Sequence, residues 1–443
     1  MLVQKFSVLK RLNLERLGQI LFFFGIFFLC SSLFIGILFL LPAFLFSSFR
    51  NFRNKSYFKD KWNLSFFICG ALIITNSLLQ NFVLNNPLIG MWDPKLSLLG
   101  LINWIPFFWI FWAAQPYLDN SNKRRTFALT LIAGTLPLLI TGIGQYFFGW
   151  IGPFKTLGGL VVWYLKPTFD GGLTGLFSNA NYAGSWLNLI WPLCFAMIFE
   201  NTKNLIKKSI AITFFLSIGT TLFLTYSRSS WGGLLLAIPL VIGEQSLTWI
   251  IPIILILFFF FFLVISNNIA GEFQSLMQSF IPEKFLLQFS SEGFTTLDVT
   301  RLEILKNALE LIKISPWIGI GAGAFSVIFK LQTGFYKGHS HNLITELAIS
   351  YGLPVSIIFF ITTALLLIFS SKNIFFTRLN SGTNNYYERA FWAAIFFFFL
   401  SQNVDVQYFD GRISLLSWTY LALLRNIIRE HKNLDASVIS SFA

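Results

Sequence analysis

The stretch TWIIPIILILFFFFFLVIS, residues 248–266, decides the fold class of this protein. None of its side chains is charged. As a helix rising about 1.5 Å per residue, the stretch covers nearly all of the roughly 30 Å hydrocarbon core of a bilayer. Similar apolar runs recur along the whole chain, in which 55% of the residues are hydrophobic and only 12% are charged. Soluble domains carry about 25% charged residues, so we predict a membrane protein.

The apolar runs also indicate the architecture. Only helices and closed barrels satisfy every backbone polar group inside lipid, and the alternating pattern of barrel strands is absent from the sequence. We therefore predict an all-α polytopic membrane protein with about twelve transmembrane helices. They comprise two short crossings within 18–48, turning near Cys30-Ser31-Ser32, and then 63–83, 96–117, 127–149, 183–200, 208–226, 230–244, 248–266, 345–370, 388–408 and 413–425.

Lys and Arg residues orient these helices, because cytoplasmic loops carry an excess of them. Of the 32 in the chain, 21 lie in segments that this arrangement places in the cytoplasm. The short outer loops hold only Lys95, Lys155, Lys166, Arg228 and Arg412. Both termini are therefore expected in the cytoplasm. The net charge of +13 comes from short connectors rather than one basic stripe, so we expect membrane lipids as partners and no nucleic acid.

Three regions follow from this topology. Residues 1–266 hold transmembrane helices 1–9, residues 267–344 form one long structured extracytoplasmic (periplasmic) loop, and residues 345–443 hold helices 10–12 and a cytoplasmic tail. The long loop is predicted to contain amphipathic helices. Its signals are the apolar residues Phe273, Leu276, Met277 and Phe280 before Pro282, a capping box of Thr300 and Glu303, and a glycine-rich end at Pro316–Gly323.

Two arginines in the outer segments are candidates for binding an anion. Arg228 follows Ser227 in a turn of small residues between two apolar helices, and Arg301 lies in the first turn of the loop helix. The planar guanidinium fork donates two parallel hydrogen bonds to a phosphate. The structural alternatives are a snorkelling arginine at position 228 and a solvated surface charge at position 301.

The segment GHSHN, residues 338–342, holds two of the three histidines in the chain. Histidine is the natural general base near neutral pH, so His341 is a candidate catalytic residue, with His339 and Asn342 beside it; a purely structural pair is the alternative. Asn181 and Asp405 are further polar residues at outer helix ends. A carboxylate in an apolar run is costly unless it faces protein or water, so Asp405 either belongs to a site or pairs with an outer arginine.

The cysteines carry no sign of metal or redox chemistry. Cys30, Cys69 and Cys194 all lie in apolar runs, and no group of Cys, His or carboxylate residues has metal-ligand spacing in the sequence. We expect neither a disulfide framework nor a metal, and no cofactor. The candidate residues all map to the outer face. Two arginines and a histidine there suit an anionic, lipid-linked donor and a hydroxyl acceptor.

Four segments resemble the O-antigen ligase superfamily of polytopic glycosyltransferases, which includes O-antigen polymerases. They are Ser227-Arg228 with Gly232, Arg301 with the Pro316–Phe325 stretch, His341-Asn342 with Gly352, and Phe177–Tyr182. The resemblance implies transfer of a glycan from a polyprenyl (undecaprenyl) diphosphate carrier to lipid A-core or a growing polysaccharide, in lipopolysaccharide biosynthesis at the bacterial inner (plasma) membrane. It also implies Arg228, Arg301 and His341 as catalytic residues, with Asn342, Ser227 and Asn181 around the substrates. His339 and Asp405 are expected beside them from their position at the outer face, not from the resemblance. Val355 stands where the family expects a second glycine.

The sequence is also similar to a cyanobacterial branch of the superfamily once proposed to transport bicarbonate. In that alternative the arginines form the binding site of a small-anion transporter. Transporter sites lie near the bilayer midplane on broken helices, whereas the candidate residues here lie at the outer edge. His341 likewise favours a transferase. A flippase or assembly partner without chemistry is the third reading.

Overall fold

The computed structural model describes residues 2–52, 59–83, 92–93, 95–166, 171–200, 203–265, 299–376 and 385–442. The α-helices of this part are α1 Leu2–Leu29, α2 Leu33–Phe52, α3 Lys61–Phe82, α4 Leu96–Gly100, α5 Ile105–Ala113, α6 Ser121–Gly134, α7 Leu136–Phe148, α8 Ala180–Phe199, α9 Leu205–Leu224, α10 Arg228–Ile242, α11 Leu247–Ile265, α12 Arg301–Ile314, α13 Ala324–Thr333, α14 Leu343–Tyr351, α15 Leu353–Ser371, α16 Tyr386–Ser401 and α17 Gly411–Phe442. A small antiparallel hairpin pairs β1, Phe154–Thr156, with β2, Val161–Trp163.

Seven helical stretches of the described chain are long and apolar enough to cross a membrane. They are Leu33–Phe52, Lys61–Phe82, Leu96–Ala113, Ser121–Phe148, Ala180–Phe199, Leu205–Leu224 and Leu353–Phe376. This confirms an all-α, multi-pass membrane protein, while the count of twelve crossings stays a prediction. The most enclosed of the seven is α8, in which 78% of the apolar stretch is buried inside the protein. It packs against α9, α10 and α16.

The first two helices form the predicted helical hairpin. α1 ends at Leu29 and α2 begins at Leu33, so the turn lies at Cys30-Ser31-Ser32 as expected. Small residues let two helix backbones approach closely. Here Gly36 serves that purpose, because a Cβ atom at this position would lie 3.1 Å from the Cα of Leu29. Whether both helices cross the bilayer stays a prediction.

The segment expected to be one crossing at 345–370 is instead broken at Gly352. This residue has a φ of +87°, which glycine adopts without the strain that a side chain brings, and Pro354 lies in the first turn of α15. The break leaves backbone carbonyls without helical partners in an apolar setting, where each unpaired group is costly. α3 satisfies them. Asn76 Nδ2 donates to the carbonyl of Tyr351 at 2.7 Å, and Gln80 Nε2 donates to that of Ser350 at 3.0 Å.

The glycine-rich turn after α12 packs directly onto this break. The Ile320 N–H donates to the Ile349 carbonyl at 2.7 Å, and the Leu353 N–H donates to the Pro316 carbonyl at 2.8 Å. The predicted end of α12 before Pro316 is confirmed, since the helix ends at Ile314. The glycines are needed because the turn and the break lie backbone against backbone.

The predicted capping box at the start of α12 is also confirmed. The Thr300 N–H donates to Glu303 Oε2 at 2.8 Å, and the Glu303 N–H donates to Thr300 Oγ1 at 3.3 Å. The amphipathic segment predicted before Pro282 lies outside the described residues.

Ion pairs tie the helices together at the end remote from the 338–346 segment. Arg124 on α6 contacts Glu388 on α16 at 3.1 Å and Glu430 on α17 at 2.8 Å, while Arg425 Nε donates to Asp60 at 2.8 Å. From Glu388, α16 runs about 20 Å to its other end at Ser401, which precedes Asp405. The helix bundle therefore separates these ion pairs from the polar residues near Asp405.

We expect Gly352→Ala to lower the free energy of unfolding by about 2 kcal/mol or more. The added Cβ would clash with the carbonyl oxygen of Trp317, and the φ of +87° would strain any residue with a side chain. Thermal unfolding of the detergent-solubilised protein measures the loss. Gly232→Ala in α10 is the control, because its Cβ would make only an ordinary 3.8 Å contact with Phe397. Equal stability of the two variants would contradict this account of the break.

Candidate functional site

The carboxylate of Asp405 is the centre of a polar cluster just beyond the end of α16. The residue is only 9% exposed, and both of its oxygens accept hydrogen bonds. Oδ1 lies 2.8 Å from His341 Nδ1 and accepts the Val406 N–H at 3.1 Å. Oδ2 accepts Asn181 Nδ2 at 2.9 Å and Gln407 Nε2 at 3.0 Å. We call Asp405, His341, His339, Asn181 and Gln407 the Asp405 cluster.

The loop that carries Asp405 is held by a buried glutamine. Gln402 Oε1 accepts the N–H groups of Gln407 at 2.9 Å and Tyr408 at 3.1 Å, and its Nε2 donates to Gln407 Oε1 at 2.9 Å. The Gln402 carbonyl accepts the Leu343 N–H at 2.9 Å. This last bond joins the end of α16 to the start of α14, and so brings Asp405 against the histidine segment.

Asp405 fixes the protonation pattern of His341. Burial raises the pKa of the Asp405 carboxyl, but the hydrogen bond and charge of His341, with the charges of His339 and Arg301, outweigh it and leave this pKa below its ordinary value. The ionised carboxylate only accepts hydrogen bonds, so His341 Nδ1 carries the proton. In the neutral ring, Nε2 is then left with its lone pair, which is the state that a general base needs.

His339 supports His341 rather than duplicating it. Its Nδ1 accepts the His341 backbone N–H at 3.2 Å, and the two rings lie edge to face with centroids 4.6 Å apart. Burial lowers the pKa of His339 to about 4, with the charge of His341 acting in the same direction and Asp405 opposing both. His339 is therefore neutral at physiological pH.

Local backbone geometry sets the direction of the His341 ring. His341 has a φ of +54°, an uncommon conformation for a residue with a side chain and one that clusters at functional sites. The next residue, Asn342, caps α14, because its Oδ1 accepts the N–H groups of Ile344 at 2.9 Å and Thr345 at 3.2 Å. Its Nδ2 donates to the Asn403 carbonyl at 3.2 Å. Both the oxygen and the nitrogen of the Asn342 side-chain amide are thus hydrogen-bonded within the protein.

Of the two arginines, Arg301 lies on the side of the Asp405 cluster. It is the first residue of α12, its side chain is exposed, and α12 packs against α14, the helix that follows His341. Its charge is one of those that lower the pKa of Asp405. The structure therefore brings Arg301, Asp405 and His341 into one electrostatic neighbourhood.

Arg228 is the first residue of α10, and the start of this helix packs against α8. The hydroxyl of the preceding Ser227 accepts Ser230 Oγ at 3.0 Å, and a Cβ atom at Gly184 would lie 3.2 Å from the Ser227 Cβ. Gly184 belongs to the first turns of α8, which also hold Asn181 of the Asp405 cluster. The start of α10 therefore lies beside α8 close to this cluster. Convergence of the Arg228 guanidinium on His341 stays a prediction.

The two histidines and Asp405 also have the composition of a metal site, which their spacing in the sequence does not show. Their ligand atoms all lie within 4.8 Å of one another. The 2.8 Å separation of His341 Nδ1 and Asp405 Oδ1 is that of a hydrogen bond, and His339 Nδ1 accepts a backbone N–H. These contacts are those of a hydrogen-bonded set of residues. Our expectation that no metal takes part stays a prediction.

Residues 212–360 match the protein family described as O-antigen ligase. This segment of the chain is therefore similar to the O-antigen ligases, and we refer to residues 212–360 as the ligase domain. A search of curated proteins found no match to the chain. The ligase domain covers about a third of the sequence and includes Arg228, Arg301, His339 and His341.

Two members of the Asp405 cluster that contact each other, Asn181 and Asp405, lie outside the ligase domain on either side. The match to the ligase family therefore does not account for the carboxylate that orients His341. Asp405 and Asn181 were expected around the substrates from the sequence, but their contact with each other was not, and Gln407, which is 1% exposed, was missed. The sequence signal that could have indicated Gln407 is the pair of glutamines, Gln402 and Gln407, on either side of Asp405. A buried amide requires hydrogen-bond partners, and a nearby carboxylate can supply one.

We expect the His339 ring to stay neutral from pH 7 down to about pH 4, because burial opposes its charge. Nitrogen NMR of histidine-labelled protein in lipid nanodiscs measures this directly. The chain has only three histidines, so His339→Gln assigns the signal. A midpoint near the ordinary value of 6.5 would contradict the buried position of this ring.

Proposed function

We propose that this protein is a glycosyltransferase of the O-antigen ligase type. It moves a glycan from a polyprenyl-diphosphate carrier, undecaprenyl diphosphate in bacteria, to a hydroxyl group of an acceptor at the outer face of the plasma membrane. The acceptor is lipid A-core in a ligase or a growing polysaccharide in a polymerase. The observation that carries the proposal is the His341 Nδ1–Asp405 Oδ1 contact of 2.8 Å, formed where the ligase domain supplies the histidine and two arginines.

In the proposed step, His341 Nε2 takes the proton of the acceptor hydroxyl. The hydroxyl oxygen attacks the anomeric carbon of the donor sugar, and the bond from that carbon to the diphosphate oxygen breaks. The electron pair of this bond leaves with the diphosphate, and the proton stays on His341. Asp405, hydrogen-bonded to Nδ1, stabilises the resulting imidazolium without taking the proton. Asp405 is therefore a positioning residue.

Arg228 and Arg301 have an electrostatic role in this proposal. A diphosphate is already a good leaving group, and what it needs is a partner for its growing charge. Arginine remains charged at any physiological pH and binds phosphate through two parallel hydrogen bonds. The side chains of both residues are exposed, so they are accessible to a large lipid-linked donor. No metal enters the proposed step.

The placement of the chain in the membrane belongs to the same proposal. We place both termini in the cytoplasm of a bacterial cell and residues 267–344 in the periplasm, so that His341 and Arg301 face the side where lipid-linked glycans are transferred. A transporter is less well supported. At the break before Gly352, the carbonyl oxygens of Tyr351 and Ser350 accept hydrogen bonds from the amides of Asn76 and Gln80, so these oxygens are not open to coordinate an ion.

We expect His341→Ala to lower glycan transfer by about a hundred- to ten-thousandfold, the usual cost of losing a general base. Arg228→Ala should cost about a hundredfold or more, since it removes a charge that holds the leaving group. His339→Ala should be milder, because its neutral ring only supports His341. Transfer is measured in membranes from cells that lack their own ligase, with protein level checked, and a chelator should have no effect.

The outcomes of these variants separate the two histidines. Full activity of His341→Ala together with loss in His339→Ala would identify His339 as the base. Full activity of both variants would contradict base catalysis by this segment, and loss of activity on chelation would contradict a metal-free step.

We expect Asp405→Asn to lower kcat by about a hundredfold or more with little change in KM, because an amide does not enforce the Nδ1–H tautomer of His341. Asp405→Glu keeps the charge and should retain more activity than Asp405→Asn. Asp119→Asn is the matched control, because the same change falls on an exposed carboxylate that contacts Lys123 and the neighbouring Asn120 at the surface. Equal activity of the asparagine and glutamate variants at position 405 would contradict the role of the charge.

A further inference from the structure

A cavity of about 180 Å³ lies beside the histidine segment, whose Gly338 forms part of its lining. The polar and aromatic residues that line it are Asn103, Trp104, Glu346, Ser350, Tyr351 and Phe409. Its volume is that of about six water molecules, which is the scale of one sugar ring rather than an oligosaccharide. Gly338 and Gly323 also line it, and both are exposed, so the cavity opens to the surface beside the His339–His341 loop.

One buried hydroxyl group at this cavity has no hydrogen-bond partner among the described residues. Tyr351 is 1% exposed, and its Oη makes no hydrogen bond within the described part of the chain. A buried hydroxyl without a partner costs free energy, and this one belongs to a residue that lines a polar cavity. The backbone of Tyr351 is fixed by Asn76, so its hydroxyl group is presented from a rigid position.

The charge of the cavity lining distinguishes it from the arginine side of the site. Glu346 is the one charged residue among the described lining residues, and no cation accompanies it. A carboxylate repels phosphate but accepts hydrogen bonds from hydroxyl or amino groups. Glu346 Oε2 also accepts the Ser340 N–H at 2.9 Å, which links the cavity wall to the loop that carries His341.

The aromatic wall of the cavity is rigid. Trp104 stacks on Tyr408 with ring centroids 4.5 Å apart, and Tyr408 Oη donates to the Asn103 carbonyl at 3.0 Å. Trp418 Nε1 donates to the same Tyr408 oxygen at 2.9 Å. A flat apolar ring beside carboxylate, amide and hydroxyl groups matches a sugar, which has apolar C–H faces and a polar hydroxyl edge.

We propose that this cavity binds the terminal sugar ring of the acceptor, as a neutral or amino pyranose. This inference rests on the proposed function and adds to it the acceptor subsite. The ring lies in the cavity beside Gly338, from which the hydroxyl group that reacts extends to His341 Nε2, and the anionic donor stays on the side of Arg228 and Arg301. The two substrates are thus separated by charge.

The variant Tyr351→Phe tests the subsite most directly. Removing an unpaired buried hydroxyl should leave folding intact. If that hydroxyl binds the acceptor sugar, the variant should raise the acceptor KM about three- to tenfold, the loss of one hydrogen bond, with the donor KM within about twofold. Glu346→Gln should act in the same direction. Tyr336→Phe, the same change at an exposed position, should leave both constants unaltered.

A binding measurement separates this inference from the proposed function. Saturation-transfer NMR on the full-length protein in nanodiscs, with methyl glycosides of glucose, galactose and N-acetylglucosamine as probes, requires no turnover. We expect a signal for at least one glycoside, weakened in Tyr351→Phe and Glu346→Gln and unaffected by inorganic phosphate. Displacement by phosphate, or no glycoside signal, would overturn the subsite. Unchanged acceptor KM in both variants would overturn it while transfer itself stands. Sugar binding without any glycan transfer would instead contradict the proposed function alone.

Discussion

A carboxylate that is almost removed from water at the end of an apolar helix must be surrounded by hydrogen-bond donors. Asp405 meets this requirement with His341, Asn181, Gln407 and the Val406 N–H. Because these donors come from α8, the histidine segment and the loop after α16, one charge draws three distant parts of the chain together. The same contact that satisfies the carboxylate also selects the tautomer of His341, so the stability of the cluster and its chemistry have one origin.

The second constraint comes from the backbone near this cluster. The helical run is broken at Gly352, which makes α14 a short helix. It begins next to His341 and forms one wall of the sugar-sized cavity. In an apolar environment, such a break persists only if its carbonyls find partners, and Asn76 and Gln80 supply them from α3. The glycine turn after α12 packs on the same break, which connects the loop helix that starts at Arg301 with the histidine segment.

Local features of this structure could be predicted from the sequence, and long-range ones could not. The turn at residues 30–32, the capping box at Thr300 and the end of α12 before Pro316 all depend on neighbouring residues. The break at Gly352 was missed because the flanking apolar run resembles one continuous helix. The pairing of His341 with Asp405 spans 64 positions, and the partners of Asn76 and Gln80 lie farther still. No periodicity specifies such contacts, although buried amides and carboxylates in apolar runs do indicate that partners exist.

The central claim is that His341, oriented by Asp405, transfers a glycan from a lipid diphosphate. The most direct measurement uses purified full-length protein in lipid nanodiscs with a chelator, a polyprenyl-diphosphate oligosaccharide and a lipid-linked sugar acceptor. Mass spectrometry then follows the acceptor and the released polyprenyl diphosphate. The account predicts one glycan added per diphosphate released, with both products lost in His341→Ala. Absence of glycan transfer, together with His341-independent uptake of bicarbonate into proteoliposomes containing the same protein, would contradict it.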